Sequence, residues 1–258
     1  MDLNKLNSMT KYPSILTYHK LGEKGRLLDE VQVEFDCPVI VTEKIDGVNA
    51  RIILFPDGFY IIGSREELLY GKGDLIGNPQ LGIVDELKPV AEALVPSDNL
   101  RVYYFEVYGG NVTKGSKQYT SEKKVGHLLF DVVEIDPYKF KELCDLPIEQ
   151  ISAWRENGGQ DFLSDEELRN TLLDVPVEVL FELTPRIGFD QKILLDLPIS
   201  LNNTYDWLNR MLSEGTFAKL DAGGVGRAEG VVVRTPDRSK IAKIRFEDYE
   251  RTLRWMKG

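Results

Sequence analysis

Apolar and polar positions along the chain fall into two periods. Residues 39–55, VIVTEKIDGVNARIILF, read as β-branched core sequence with a charge pair and a glycine in the middle. The turn PDG at 56–58 and the run FYIIGS then complete a hairpin pattern, because a proline-aspartate-glycine turn sits between β-forming runs. RVYYFEVYGG at 101–110 and HLLFDVVEID at 127–136 are further strands, as is PVEVLFEL at 176–183. AEGVVVRT and KIAKIRF form the last two. Helical spacing predicts helices over LGIVDELKPVAEAL and over TYDWLNRMLSEG, the latter stopping at Gly215. SDEELRNTLLD opens with Ser164 and Glu167, the spacing of a capping box. A short helix, EDYERTLRWMK, follows the last strand, and AGGVG at 222–226 reads as a mobile loop. Strands in runs with helices between them predict an α+β fold of largely antiparallel sheets flanked by helices. No proline- or glycine-rich linker marks a boundary, so the expectation is a single domain over 1–258, with a helical insert at about 136–226.

Composition narrows the class. With 42% hydrophobic and 29% charged residues the chain is an ordinary globular one. No stretch has the length of a membrane span, and the N-terminus lacks the apolar run of a signal peptide. Cys37 and Cys144 are isolated, which fits a reducing, cytoplasmic setting and leaves no zinc-ligand spacing. A net charge of −10 argues against a broad basic surface. Any nucleic-acid partner must meet a local basic patch within an acidic whole.

The interruption at 44–47 is the first chemical signal. Lys44, Asp46 and Gly47 form K-x-D-G, which by itself fits equally well a solvent-facing lysine ahead of a turn. Companions follow in order: Glu106 in YFEVYGG, Phe130 and Asp131 in LLFDVVEID, Glu229 to Arg234 in EGVVVR, and Lys243 and Arg245 in KIAKIR. Two cations one residue apart on a strand point the same way, so Lys243 and Arg245 should share a face. Glu106 and Glu229 lie in apolar surroundings, where a bare carboxylate is costly without a role. His19 and His127 read as structural residues.

The ordered set resembles the covalent nucleotidyltransferases, the superfamily of ATP-dependent DNA ligases, RNA ligases and capping enzymes. The likeness spans about 39–246. Asn49 stands five after the lysine, where DNA ligases and capping enzymes usually carry arginine, and Arg65 follows the hairpin; both resemble the nick-sealing RNA ligases. The resemblance implies an ATP-grasp-like ligase domain and ATP rather than NAD as donor, since only residues 1–43 precede Lys44. It implies Lys44 as nucleophile toward the α-phosphorus, forming lysyl-AMP. A free lysine titrates near ~10.4, so cationic neighbours and Mg2+ (with Mn2+ able to substitute) would favour the neutral amine. Lys243 and Arg245 would supply that field and neutralise phosphate charge.

The resemblance assigns Glu106 to the ribose, Glu229 to metal or lysine positioning, Phe130 to adenine stacking and Glu43 to the purine side. Asp46 belongs with the catalytic group. Gly47, Asn49, Arg65 and Arg234 belong with the nucleotide and end-phosphate contacts. The activity implied is ATP-dependent joining of RNA 5′-phosphate and 3′-OH ends. A minimal DNA ligase, a polynucleotide 5′-adenylyltransferase and a degenerate AMP-binding module remain open. The pattern departs in one respect: after K-x-R only FEDYERTLRWMKG follows, which leaves no room for a C-terminal OB-fold. An accessory subunit or repair partner would be one way to replace its grip on RNA.

Overall fold

A computed structural model describes residues 1–77, 82–174, 181–187 and 197–256. The chain begins with α1 (Leu3–Thr10), β1 (His19–Leu21), β2 (Leu27–Val31), β3 (Ile40–Lys44) and β4 (Val48–Leu54). Next come β5 (Tyr60–Ser64), β6 (Leu68–Gly71), β7 (Asp74–Leu75), α2 (Ile83–Ala93), β8 (Leu100–Gly109) and β9 (Val125–Ile135). Then follow α3 (Pro137–Asp145), α4 (Ile148–Glu156), β10 (Asp161–Phe162), α5 (Asp165–Asn170) and β11 (Glu182–Leu183). The last elements are α6 (Leu201–Met211), β12 (Gly230–Arg234), β13 (Ile241–Arg245) and α7 (Phe246–Met256). The fold is α+β, and among the described residues pairing is antiparallel except between β11 and β9 and at a bridge from Thr17 to Lys243. Among the described residues no closed barrel occurs, and no helix is long and apolar enough to cross a membrane.

Two compact units arise, each from several chain segments. One comprises residues 1–14, 47–114 and 125–183. Its sheet runs β10-β9-β8-β4-β5-β6-β7, with β11 pairing in parallel on β9. The predicted hairpin is β4 and β5, turning at Pro56-Asp57-Gly58. There the Asp57 carboxylate accepts from the Phe59 amide at 2.9 Å. One face of β4 and β8 packs Ala50, Ile52, Leu54, Tyr103 and Phe105 against Leu87, Val90 and Ala91 of α2. Full burial of such aliphatic side chains contributes about 1.5–3 kcal/mol each. On the other face, Tyr104 donates to the Thr10 carbonyl at 3.0 Å and Arg51 donates to Asn7, which fixes α1 there. The capping box is formed on α5: Ser164 and Glu167 satisfy each other's backbone amides. Of the strand predicted at 176–183, residues 176–180 lie outside the described residues, and 182–183 pair as β11.

The second unit comprises 15–46, 115–124 and 184–258. Its sheet has the order β13-β12-β3, beside a β1–β2 hairpin. Trp207 and Leu208 of α6 and Tyr249 of α7 join Val41, Val231, Val233, Ala242 and Ile244 in one buried core. The run at 39–55, read as one interrupted stretch, is divided: β3 pairs with β12 in this unit, and β4 pairs with β5 and β8 in the other. α6 ends at Met211 rather than at Gly215, which occupies the turn beyond it with φ +82°.

Candidate active site

The three-stranded sheet sets Lys44, Gly230 and Arg245 in one cross-strand row, and Thr42, Val232 and Lys243 in the next row on the same face. Alternation buries Ala242 and Ile244 on the opposite side, so Lys243 and Arg245 share a face as the strand period requires. Glu229 stands one residue before β12 rather than within it. Its carboxylate accepts from Lys44 Nζ at 2.5 Å and lies 3.7 Å from Arg245 Nη1. Arg245 is held in turn by a forked pair to Asp248, at 2.8 and 3.0 Å. Burial opposes the charge on Arg245, but Asp248 and then Glu229 outweigh it and hold the guanidinium above its ordinary range. Asp248 is itself buried and also accepts from Arg251 at 2.6 Å. Both side chains of the Lys44–Glu229 pair are partly buried, 25% and 23% exposed. Arg234 shares this face but lies four residues along β12 from Gly230, about 13 Å at strand rise, so it is not gathered with Lys44.

Either side of Lys44 is tied down by residues the sequence pattern did not single out. Glu43 faces the opposite side from Lys44 and is 1% exposed, so it is not a plain surface charge. Its carboxylate accepts from Thr216 Oγ1 at 2.5 Å and from the Phe217 amide at 2.7 Å. Burial raises its pKa, opposed by those hydrogen bonds. Past β3, the Asp46 amide donates to Tyr119 Oη at 2.7 Å. Tyr119 is fully buried, and burial raises its pKa, with the charges of Glu43, Asp46 and Glu229 acting in the same direction. The Asp46 side chain has left the strand and packs on Gly115, so it does not continue the Lys44 face. Tyr119 and Thr216 lie 73 and 173 residues from their partners, and no local spacing reports such pairs.

In the other unit, Gly47, Asn49, Glu106 and Arg65 come together at the ends of β4, β5 and β8. The Gly47 amide donates to Glu106 Oε1 at 3.1 Å. A Cβ on Gly47 would stand 2.5 Å from the Val107 carbonyl and 2.8 Å from Glu106 Cγ, so the close approach that requires glycine is to β8 itself. Asn49 pairs in register with Glu106, and its Oδ1 is buried with no donor among the described residues. Ala50 pairs with Ser64, so the antiparallel register brings Arg65 beside Asn49 at the next position. Arg65 is half exposed, reaching Ser14 Oγ at 3.2 Å and Glu66 at 3.6 Å. Its backbone is anchored by Arg51, a fully buried residue the pattern missed. Arg51 donates to the Ser64 and Arg65 carbonyls at 2.8 and 3.1 Å. Burial lowers the Arg51 pKa to about 10, still well above neutrality.

Phe130 falls at a bulge between Leu129, opposite Phe105, and Asp131, opposite Tyr104. It is half-buried and packs edge-on to Tyr12 at 5.0 Å and alongside Tyr104 at 6.3 Å, part of an aromatic cluster rather than a lone platform. Both histidines have structural partners: His127 meets Glu86, and His19 meets Tyr249 and the Ile199 carbonyl. Among the described residues no group of three or more His, Cys, Asp or Glu side chains could hold a metal.

A family model described as RNA ligase matches residues 37–250. No curated protein matches the sequence. Among solved structures, the Naegleria gruberi RNA ligase with PPi superposes with a TM-score of 0.52 at 15% identity, over 84% of this chain and 52% of that one. A variant of the same ligase with ATP and Mn gives 0.51 at 14% identity, over 94% and 64%. The chain thus spans between about half and two thirds of those ligase chains, and at such identity the likeness is one of fold.

Proposed function

The chain belongs to the RNA ligase family, and we propose that it is an ATP-dependent RNA ligase that joins 5′-phosphate and 3′-OH ends through lysyl-AMP. The observation that carries this is the Lys44–Glu229 pair at 2.5 Å, with Arg245 and Lys243 on the same sheet face. An amine held by one carboxylate beside two cations is arranged to attack a phosphate ester and to hold the charge that develops on it. In the first step the Lys44 nitrogen bonds to the α-phosphorus of ATP, the bond to pyrophosphate breaks, and the amine gives up a proton. In the second, an oxygen of the RNA 5′-phosphate attacks that phosphorus, the P–N bond breaks, and a 5′-5′ adenylated end forms. In the third, a 3′-OH attacks the RNA phosphate and AMP leaves.

Lys243 and Arg245 neutralise phosphate charge in the first step. Asn49, which lies opposite Glu106 on β4, and Arg65 serve the AMP and the end phosphate in the later steps. Glu106 and Phe130 serve the nucleoside, as in the family pattern. A divalent cation, Mg2+ or Mn2+, fits the available donors: one carboxylate, Glu229, with phosphate oxygens and water completing the set, as Mg2+ prefers. When bound it would neutralise phosphate charge. The isolated cysteines fit a cytoplasmic location.

Labelled ATP tests the reading. The protein should acquire an acid-labile adenylate in the presence of Mg2+, and Lys44→Ala should abolish it. Label persisting on Lys44→Ala would show that another residue is the nucleophile. Nicked RNA and nicked DNA, run in parallel, decide the substrate.

A further inference from the structure

A ligase of net charge −10 still has to hold a polyanion, and the missing piece is a local basic surface. We propose that the loops 115–124 and 216–227, both fastened to the strand that carries Lys44, form a cationic ledge that receives the backbone of the RNA strand, with Phe217 stacking on one of its bases. The proposal rests on the ligase reading above and names where that enzyme grips RNA.

The two loops carry five cations, Lys117, Lys123, Lys124, Lys219 and Arg227, against two acids, Glu122 and Asp221. Both acids are already engaged. Glu122 pairs with Lys124 at 3.0 Å. Asp221 accepts from Thr120 Oγ1, from the Ser121 and Glu122 amides and from the Gly223 amide, and those donors, Thr120 foremost, lower its pKa. Arg227 is spent on Glu250, at 2.6 Å, and on the Phe246 ring. That leaves Lys117, Lys123 and Lys219, all exposed, with no ion pair to any described residue. Phe217 is 45% exposed among them, where its ring is open to a stacking partner.

The loops are built as one rigid piece. Leu220 donates to the Tyr119 carbonyl at 2.9 Å and Gly226 to the Gln118 carbonyl at 3.0 Å. Gly224 lies so close on the Tyr119 carbonyl that no Cβ fits. The AGGVG run, expected to be mobile, is therefore packed and hydrogen-bonded. The same piece is fastened to the nucleophile's strand on both sides: Glu43 holds Thr216 and Phe217, and Tyr119 holds Asp46. Burying a carboxylate and a phenol to fix an exposed, lysine-bearing loop pair is costly, and a surface of no consequence would not need such registration to Lys44. Lysine ammoniums beside an exposed ring are the recognition elements of single strands: backbone charge and base stacking.

The experiment measures binding of a short 5′-phosphorylated single-stranded RNA by fluorescence anisotropy across a salt series, with lysyl-AMP formation followed in the same preparations. Replacing Lys117, Lys123 and Lys219 together by alanine should weaken binding about 10-fold or more and reduce the slope of log K against log salt by about 2, at roughly 0.7 per lysine on a single strand. Phe217→Ala should weaken binding by about 5- to 100-fold and leave the slope unchanged, because stacking releases no counterions. Both variants should charge with AMP at the wild-type rate. Removing three lysines elsewhere, Lys20, Lys72 and Lys139, controls for general charge. An equal slope change in that control, or unchanged binding in the ledge variant, overturns the proposal. So does a parallel loss of charging, which would assign the ledge to ATP or to the fold. Failure of the wild-type protein to charge would sink the ligase reading instead, and the binding series would still decide the ledge.

Discussion

Arg65 offers a separation of roles that its surroundings make quantitative. Its side chain is half exposed, with a 3.2 Å contact to Ser14 and a 3.6 Å pair with Glu66. Exposed pairs of this kind contribute about 0–1 kcal/mol. Arg51 holds the Arg65 backbone carbonyl and is untouched by a change of side chain. Arg65→Ala should therefore lower stability by less than about 1 kcal/mol, a melting shift of about 2–4 °C at most. Two parallel hydrogen bonds to an RNA end phosphate are worth far more, about 1.5–3 kcal/mol each. Allowing for non-additivity, a loss near ~3 kcal/mol corresponds to about 100-fold in rate. Arg65→Ala should accordingly slow single-turnover sealing of a pre-adenylated RNA strand about 100-fold while charging with labelled ATP stays near wild type. Arg65→Lys, which can make only one such bond well, should recover about half of the lost free energy. Equal loss in charging and sealing would place Arg65 in the ATP site or the fold, and no loss in either would make it a surface residue.

Arg51→Met should cost about 3 kcal/mol or more, because it leaves the Ser64 and Arg65 carbonyls and Asn7 without their buried donor; a urea-denaturation difference below about 1 kcal/mol contradicts that account. Tyr119→Phe strips the acceptor from the Asp46 amide. It should cost about 1–3 kcal/mol and slow charging per folded molecule on the order of 10-fold, as the turn after Lys44 loosens; normal charging by a destabilised protein would make Tyr119 purely structural. His19 is buried, and burial, opposed by Asp29 and the Ile199 carbonyl, lowers its pKa. The unfolded chain then binds a proton near pH ~6.5 that the folded chain refuses, so stability should fall as pH drops below that value. Urea midpoints on either side of pH ~6.5 test this, and His19→Gln should flatten the difference.

The sequence by itself determined what is local. The turn at 56–58, the capping box at Ser164 and Glu167 and the shared face of Lys243 and Arg245 follow from backbone geometry within a few residues. The order of the site motifs was legible for the same reason, since each is a short stretch on one strand. Tertiary structure decided which strand pairs with which. It sent β3 and β4 to different sheets although two residues separate Lys44 from Gly47. It turned Glu43 inward to hold Thr216 and Phe217, and it buried Arg51 beneath Arg65. A buried carboxylate or guanidinium is tolerable only where its partners stand, and those partners come from distant segments whose spacing carries no period. The ledge at 115–124 and 216–227 is the clearest case: its cations come from two distant segments that only tertiary hydrogen bonds, Leu220 to the Tyr119 carbonyl and Gly226 to the Gln118 carbonyl, bring together.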